Sequence, residues 1–228
     1  MISQQRVGAI IAAAGQSQRM GGVDKVFAPL GGKPVLAHVI DAFDGCNSID
    51  QIVVVVSRKN LEPCRRLITE EGWSKPIDAC AGGKRRQDSV AAGLSRLNHC
   101  HWVVIHDGAR PLLTADLIER GLKAAEETGA AVAAVPVTDT IKVADVNGIV
   151  HQTPPRQNLW AVQTPQVFRY GIIAKAYQQA KGEVTDDASL VEQLGYKVKL
   201  YMGSYDNIKI TTSYDLLTAE AWQQKHGK

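Results

Sequence analysis

No apolar run in this sequence approaches the ~20 residues a helix needs to cross a bilayer, and the first one begins without a cleavable leader pattern. Both lacks point to a cytoplasmic protein with no membrane contact. Cysteine is scarce. The four, Cys46, Cys64, Cys80 and Cys100, are scattered, with neither a Cys-x-x-Cys pair nor a histidine at zinc spacing, so they read as reduced thiols rather than a metal module or a disulfide framework. An excess of one charge is missing too: 26 Lys and Arg stand against 23 Asp and Glu, a formal charge of +3. That balance is too even for a nucleic-acid or membrane surface. Repeats and low-complexity segments are also absent. What remains is 228 residues, 45% of them hydrophobic, enough to bury a sizeable core as one α/β domain over 1–228.

Apolar strands alternate with amphipathic helices. "RVGAIIAAAG", "QIVVVVS", "PIDACAGG", "HWVVIHDGARP" and "AAVAAVPV" read as buried strands. Between them lie helices: "KPVLAHVIDAFDGC" with Pro34 in its first turn, Leu61 to Glu71, "DSVAAGLSRL" with Asp88 or Ser89 as N-cap, and "LTADLIERGLKAAEETG". Continuous apolar strands separated by helices predict a doubly wound, mostly parallel sheet covered on both faces, a Rossmann-like arrangement. From Thr140 to about Trp160 the runs become short and alternating around Asn147-Gly148, a two-residue hairpin signal. This predicts a hairpin arm leaving the sheet, spanning 137–160. Beyond it come the helix "YGIIAKAYQQA", a capped helix in "TDDASLVEQLG", the strand "KVKLYMG", the loop "DNIKITT" and a last helix from about Ser213.

The first strand runs into "GQSQRMGGVDK", a loop shaped like a phosphate site. It lacks the Gly-Lys-Ser/Thr ending of a P-loop, and Gly15, Gly21 and Gly22 miss the spacing of a dinucleotide turn. Ligands in open α/β sheets bind at the carboxyl ends of strands. Charged and glycine-bearing residues recur there: Gly15 to Lys25, Gly82 to Ser89, His106 to Arg110, and Asp206 to Lys209. Taken singly, Arg19, Lys25 and Lys209 read as solvated cations and "KRRQD" as a solvated loop; Arg156, behind Pro154 and Pro155, reads as a brace for the arm. Taken together, the cations at strand ends favour phosphate chemistry. Asp107 is either a turn former before Gly108 or a carboxylate for a divalent ion bound to phosphates. No histidines form a metal cluster.

In order along the chain, "AAAGQSQRMGGVDK", "GGKRRQDSV", "HDGARP", "DTIK", "TPQVF", "TDDASL" and "DNIKIT" resemble the motifs of the 2-C-methyl-D-erythritol 4-phosphate cytidylyltransferase family over essentially the full length. The departures are Ala12 and Asp24 at positions where the family favours proline, Gly108 where alanine is common, and Lys84 where an acidic residue is frequent. The resemblance implies an enzyme that moves a cytidylyl group from CTP to a polyol phosphate and releases pyrophosphate, with Mg²⁺ as cofactor and Asp107 as its carboxylate. It implies Arg19 and Lys25 as transition-state stabilisers, and Arg156 and Lys209 as the residues that hold the attacking phosphate in line. Arg110 and Thr140 belong to the same pocket. Ala13, Ala14 and Gly15, with Gly83 and Ser89, would enclose the nucleotide. It also implies a homodimer in which the arm crosses to the neighbour. A ribitol 5-phosphate cytidylyltransferase and a non-catalytic nucleotide-binding module stay open beside it; a nicotinamide-dependent oxidoreductase is disfavoured by the glycine spacing.

Overall fold

The computed structural model describes residues 5–15, 24–179 and 182–226. Strand β1 (Val7–Ala13) is followed by a tight ladder of β2 (Pro29–Leu30) and β3 (Lys33–Pro34), then helix α1 (Val35–Asp44), with Pro34 just before its first residue. Next come β4 (Gln51–Val56), α2 (Leu61–Glu71), β5 (Ile77–Ala81), α3 (Arg86–Leu94), β6 (Trp102–Asp107), α4 (Ala115–Thr128) and β7 (Ala130–Pro136). Every residue of β4 and β6 is buried, which is why their sequences are unbroken apolar runs rather than alternating ones.

The pleat sends successive side chains to opposite faces. Ile11, Val54 and Val104 join Leu36, Val39, Ile40 and Phe43 of α1 in one core. Ile10, Val53, Val55, Val103 and Ile105 join Val90 and Leu94 of α3 in the other. Helix α3 lies close on the sheet because residue 93 is glycine: a Cβ there would come within 2.7 Å of the Ile10 Cγ2 and 3.0 Å of the Val55 Cγ2.

The arm carries β8 (Val143–Ala144) and β9 (Val150–Gln152). The expected turn is present, with Gly148 at φ +81°, but the connection is longer than two residues. The Asp145 carboxylate closes it by accepting the N–H groups of Asn147 and Ile149, both at 2.9 Å. Val146, Ile149 and Val150 on this arm are exposed.

The sequence reading assigned no strand between the arm and the next helix, and the structure places one there. Strand β10 (Trp160–Arg169) runs antiparallel between β6 and β7, with Val167 opposite Val104. Helices α5 (Tyr170–Gln179) and α6 (Asp187–Gln193), strand β11 (Lys199–Met202) and helix α7 (Ser213–His226) complete the order. The sheet order is β11-β7-β10-β6-β1-β4-β5, and β10 alone among these strands runs against the rest. From β1 the chain builds outward through β4 and β5, then returns to add β6 on the other side of β1. That reversal opens a crevice at the carboxyl ends, where such sheets bind ligands.

Candidate active site

The crevice is lined by small residues and by charged ones. Ala13, Ala14 and Gly15 line it where β1 ends, and Gly83 and Ser89 line it opposite. The two walls touch: a Cβ on Gly82 would meet the Ser89 Oγ at 2.5 Å and the Ala14 Cβ at 2.6 Å. Small residues here are a packing requirement, and they allow close approach to the main chain. Helix α3 begins at Arg86, so Asp88 and Ser89 lie inside its first turn rather than capping it. Asp88 still satisfies the helix start, because its carboxylate accepts the backbone N–H of Arg85 at 3.1 Å. Ser89, buried, donates its hydroxyl to the Arg85 carbonyl.

Lys25 lines the same pocket. Its turn is fixed from Asp24, whose carbonyl accepts from the Phe27 N–H at 3.0 Å and whose carboxylate accepts from Asn60 at 2.5 Å. At this position, hydrogen bonds do the stiffening a proline would supply. Arg19 lies outside the described residues.

Asp107, at the end of β6 and 6% exposed, anchors the floor. Lys209 places its Nζ 2.8 Å from Oδ2, Arg86 its Nε 3.2 Å from Oδ1, and Arg110 its Nε 3.5 Å from Oδ2. Burial alone would raise this carboxyl, but Lys209, Arg86 and Arg110 outweigh it and hold Asp107 well below the usual carboxylate range. The "KRRQD" run is therefore only partly the solvated loop expected: Lys84 and Arg85 are exposed, whereas Arg86 turns inward. Its Nη1 also meets Asp187, the first residue of α6, at 2.7 Å.

Lys209 reaches this floor because the loop after β11, at the sheet edge, crosses the middle of β10, where the register of that strand shifts. Buried Asn207 donates to the Thr164 carbonyl at 2.7 Å, and the Ile210 N–H to the Ala109 carbonyl at 2.8 Å. Beneath it, the Asp107 N–H donates to the Thr164 hydroxyl at 3.0 Å, and that oxygen lies 3.0 Å from Nδ1 of His106. Nε2 of His106 faces the Arg110 carbonyl at 3.2 Å. A carbonyl only accepts, so Nε2 carries the proton and Nδ1 receives the Thr164 O–H. Burial pushes His106 down to about 4, so the ring is neutral and serves as a brace.

Neither Thr140 nor Arg156 joins this pocket within the chain. Thr140 is exposed on the arm, and Arg156 donates to the Thr138 carbonyl at 2.6 Å, lining a separate hollow with Trp160. Among the described residues no group of three or more His, Cys, Asp or Glu side chains is placed to hold a metal. Asp107 is the one carboxylate in the lining of the crevice among the described residues, and Mg²⁺ is commonly held by one or two carboxylates together with water and substrate phosphates. All four cysteines are free, and burial pushes the Cys64 thiol up to about 12, so it is inert.

Sequence reasoning missed Arg86, Asp187, Thr164 and Asn207 as parts of the site. All four sit in the quoted motifs, Thr164 at the head of "TPQVF", but no local feature distinguishes them.

Cations gathered beside one carboxylate, in a crevice edged by small residues, suit a triphosphate attacked at phosphorus better than any chemistry needing a side-chain nucleophile. Fold and site together define the class as a nucleotidyltransferase. A family model described as 2-C-methyl-D-erythritol 4-phosphate cytidylyltransferase matches residues 7–225. A protein of that name from Dehalococcoides mccartyi (strain ATCC BAA-2266 / KCTC 15142 / 195) is 54% identical over 225 residues, covering 99% of each chain. One from Caldanaerobacter subterraneus subsp. tengcongensis is 48% identical, covering 96% of this chain and 99% of the other. The crystal structure of 4-diphosphocytidyl-2C-methyl-D-erythritol synthase from Anaerococcus prevotii DSM 20548 superposes with a TM-score of 0.88 at 31% identity, covering 98% of both. The chain belongs to the 2-C-methyl-D-erythritol 4-phosphate cytidylyltransferase family.

Proposed function

We infer that this chain transfers a cytidylyl group from CTP to 2-C-methyl-D-erythritol 4-phosphate in isoprenoid biosynthesis. The observation that carries the reading is the convergence of Lys209, Arg86 and Arg110 on buried Asp107, beside the pocket lined by Lys25. A phosphate oxygen of the polyol phosphate attacks the α-phosphorus of CTP, and the bond from that phosphorus to the bridging oxygen breaks as pyrophosphate leaves. The nucleophile is already anionic at neutral pH, so the protein's work is positioning and stabilising charge. Lys25, with Arg19 as the family resemblance implies, would stabilise the charge developing on the phosphoryl oxygens; Lys209, 39% exposed, is free to turn from Asp107 to the attacking phosphate. Ala13 to Gly15, Gly83 and Ser89 enclose the nucleotide. Asp107 is the residue that would hold Mg²⁺, which when bound would supply further neutralisation of the phosphate charge.

The same reading treats 1–228 as one nucleotidyltransferase domain and 137–160 as a dimerisation arm. Its support is apolar surface: Val146, Ile149 and Val150 on the arm, and Trp160 and Val162 on β10, are exposed, more than an isolated hairpin would profitably leave in water. In a homodimer, Thr140 and Arg156 would then complete the neighbour's site. The decisive assay is pyrophosphate release across CTP, UTP and ATP, each with 2-C-methyl-D-erythritol 4-phosphate and with ribitol 5-phosphate. Turnover confined to CTP and the methylerythritol phosphate is expected. Preference for ribitol 5-phosphate, or CTP binding without release, would replace the reading.

A further inference from the structure

Arg86 differs from the other cations on Asp107 in having a second carboxylate. Its Nε meets Asp107 at 3.2 Å and its Nη1 meets Asp187 at 2.7 Å. Asp187 is 1% exposed and accepts the Tyr177 hydroxyl at 2.5 Å on its other oxygen. The Arg86 Nη2 is itself buried, with no hydrogen-bond partner. A guanidinium gripped at one end and enclosed at another cannot follow a ligand. Lys209 holds Asp107 through one ammonium and is 39% exposed. Arg110 stands farther from Asp107, at 3.5 Å, and gives its Nη1 to the Asn207 carbonyl at 2.7 Å.

We propose that Asp187 and Arg86 form a positioning pair: Asp187 fixes Arg86 as the permanent counter-charge of Asp107, and this releases Lys209 to the attacking phosphate. The inference rests on the reaction proposed above. Whenever Lys209 turns to a phosphate with no metal on Asp107, that carboxylate must not become a buried charge without a close partner, a state of high cost. Arg86 on Oδ1 prevents it. Without Asp187, Arg86 is no longer anchored and swings with the incoming polyanion; Lys209 then stays with Asp107. Asp187 does not line the pocket, so its effect reaches substrate only through Arg86 and Lys209.

The test uses Asp187→Asn, which keeps shape and can still accept the Tyr177 hydroxyl, and Arg86→Lys, which keeps charge but cannot span both carboxylates. Each is expected to lower kcat at least about tenfold and to raise KM for the polyol phosphate, with the CTP dissociation constant changed by less than about threefold. The double variant should lose little more than either single one, as partners acting through one contact do. Inorganic phosphate binding, followed by ³¹P line width, should weaken alike in Asp187→Asn, Arg86→Lys and Lys209→Ala, and not additively. This second readout needs no turnover, so it judges the pair even where the wild-type chain fails to release pyrophosphate, an outcome that sinks the proposed reaction instead. Unchanged phosphate binding and unchanged kcat, with only a lowered unfolding midpoint, would reduce the pair to a structural brace and overturn the proposal. If Asp187→Asn does not fold, Tyr177→Phe replaces it, with a smaller shift in the same direction expected and no shift counting against the pair.

Discussion

Replacing His106 should flatten the fall of stability on the acid side, whatever the replacement costs at neutrality. The ring is fully buried between the Thr164 hydroxyl and the Arg110 carbonyl, and burial lowers it from 6.5 to about 4. As pH falls through 6.5, the unfolded chain takes a proton on His106 while the folded one does not. The unfolded state then binds more protons, so stability falls with pH until the folded ring also titrates near 4. The gap between 6.5 and about 4, at about 1.4 kcal/mol per pH unit, is worth about 3 kcal/mol. Asp107 has the opposite chemistry and a different window: its carboxyl is depressed, so its contribution is present above the ordinary carboxylate range and lost only below it. The interval from pH 7 to 4.5 therefore isolates the histidine. Equilibrium urea unfolding across that interval, without nucleotide or metal, should show wild type losing about 2 to 3 kcal/mol more than His106→Gln. The His106 ring proton should show no NMR titration above about pH 5. Parallel pH slopes in the two proteins, or a ring titrating near 6.5, would refute the argument.

Arg19→Ala and Lys25→Ala should each lower kcat on the order of 10²-fold, the usual cost of losing one preorganised charge, while weakening CTP binding far less; near-normal turnover would return that residue to the solvent. Asp107→Asn should raise the Mg²⁺ concentration for half-maximal activity in a metal titration, and an unmoved midpoint would leave Asp107 as a turn residue with cations around it. Arg156→Ala should raise KM for the polyol phosphate with KM for CTP nearly constant. Mixing inactive Arg156→Ala and Lys25→Ala chains should restore activity, since one site of each heterodimer draws both residues from intact copies; no recovery despite proven subunit exchange would end the shared-site reading.

Much of this fold is written locally. The strands that became β1, β4, β6 and β7 are apolar on both faces, and α2 spans Leu61–Glu71 as the sequence predicts. Strand β10 escapes notice because it spends polar residues inside the sheet. Buried Gln166 donates to Asp186 at 2.8 Å and accepts the Ala188 N–H at 3.1 Å, and Thr164 serves Asp107 and His106, so its pattern lacks the apolar run that marks a buried strand. The site divides in the same way. Gly15, Lys25, Asp107 and Lys209 follow strands and carry the positional signal of a ligand crevice. Arg86 follows a strand too, but among Lys84 and Arg85 it reads as one more surface cation, because nothing nearby reveals that its partner is Asp187. The start of α3 turns it inward, and the packing of α6 decides what it meets there. A charge whose partner lies in a distant motif has no local signature, and its role becomes legible only when both motifs are seen at one end of the sheet. The ordered resemblance contains "GGKRRQDSV" and "TDDASL" together, so it carries both halves of that contact, whereas reading residue by residue separates Arg86 from the carboxylate that makes it useful.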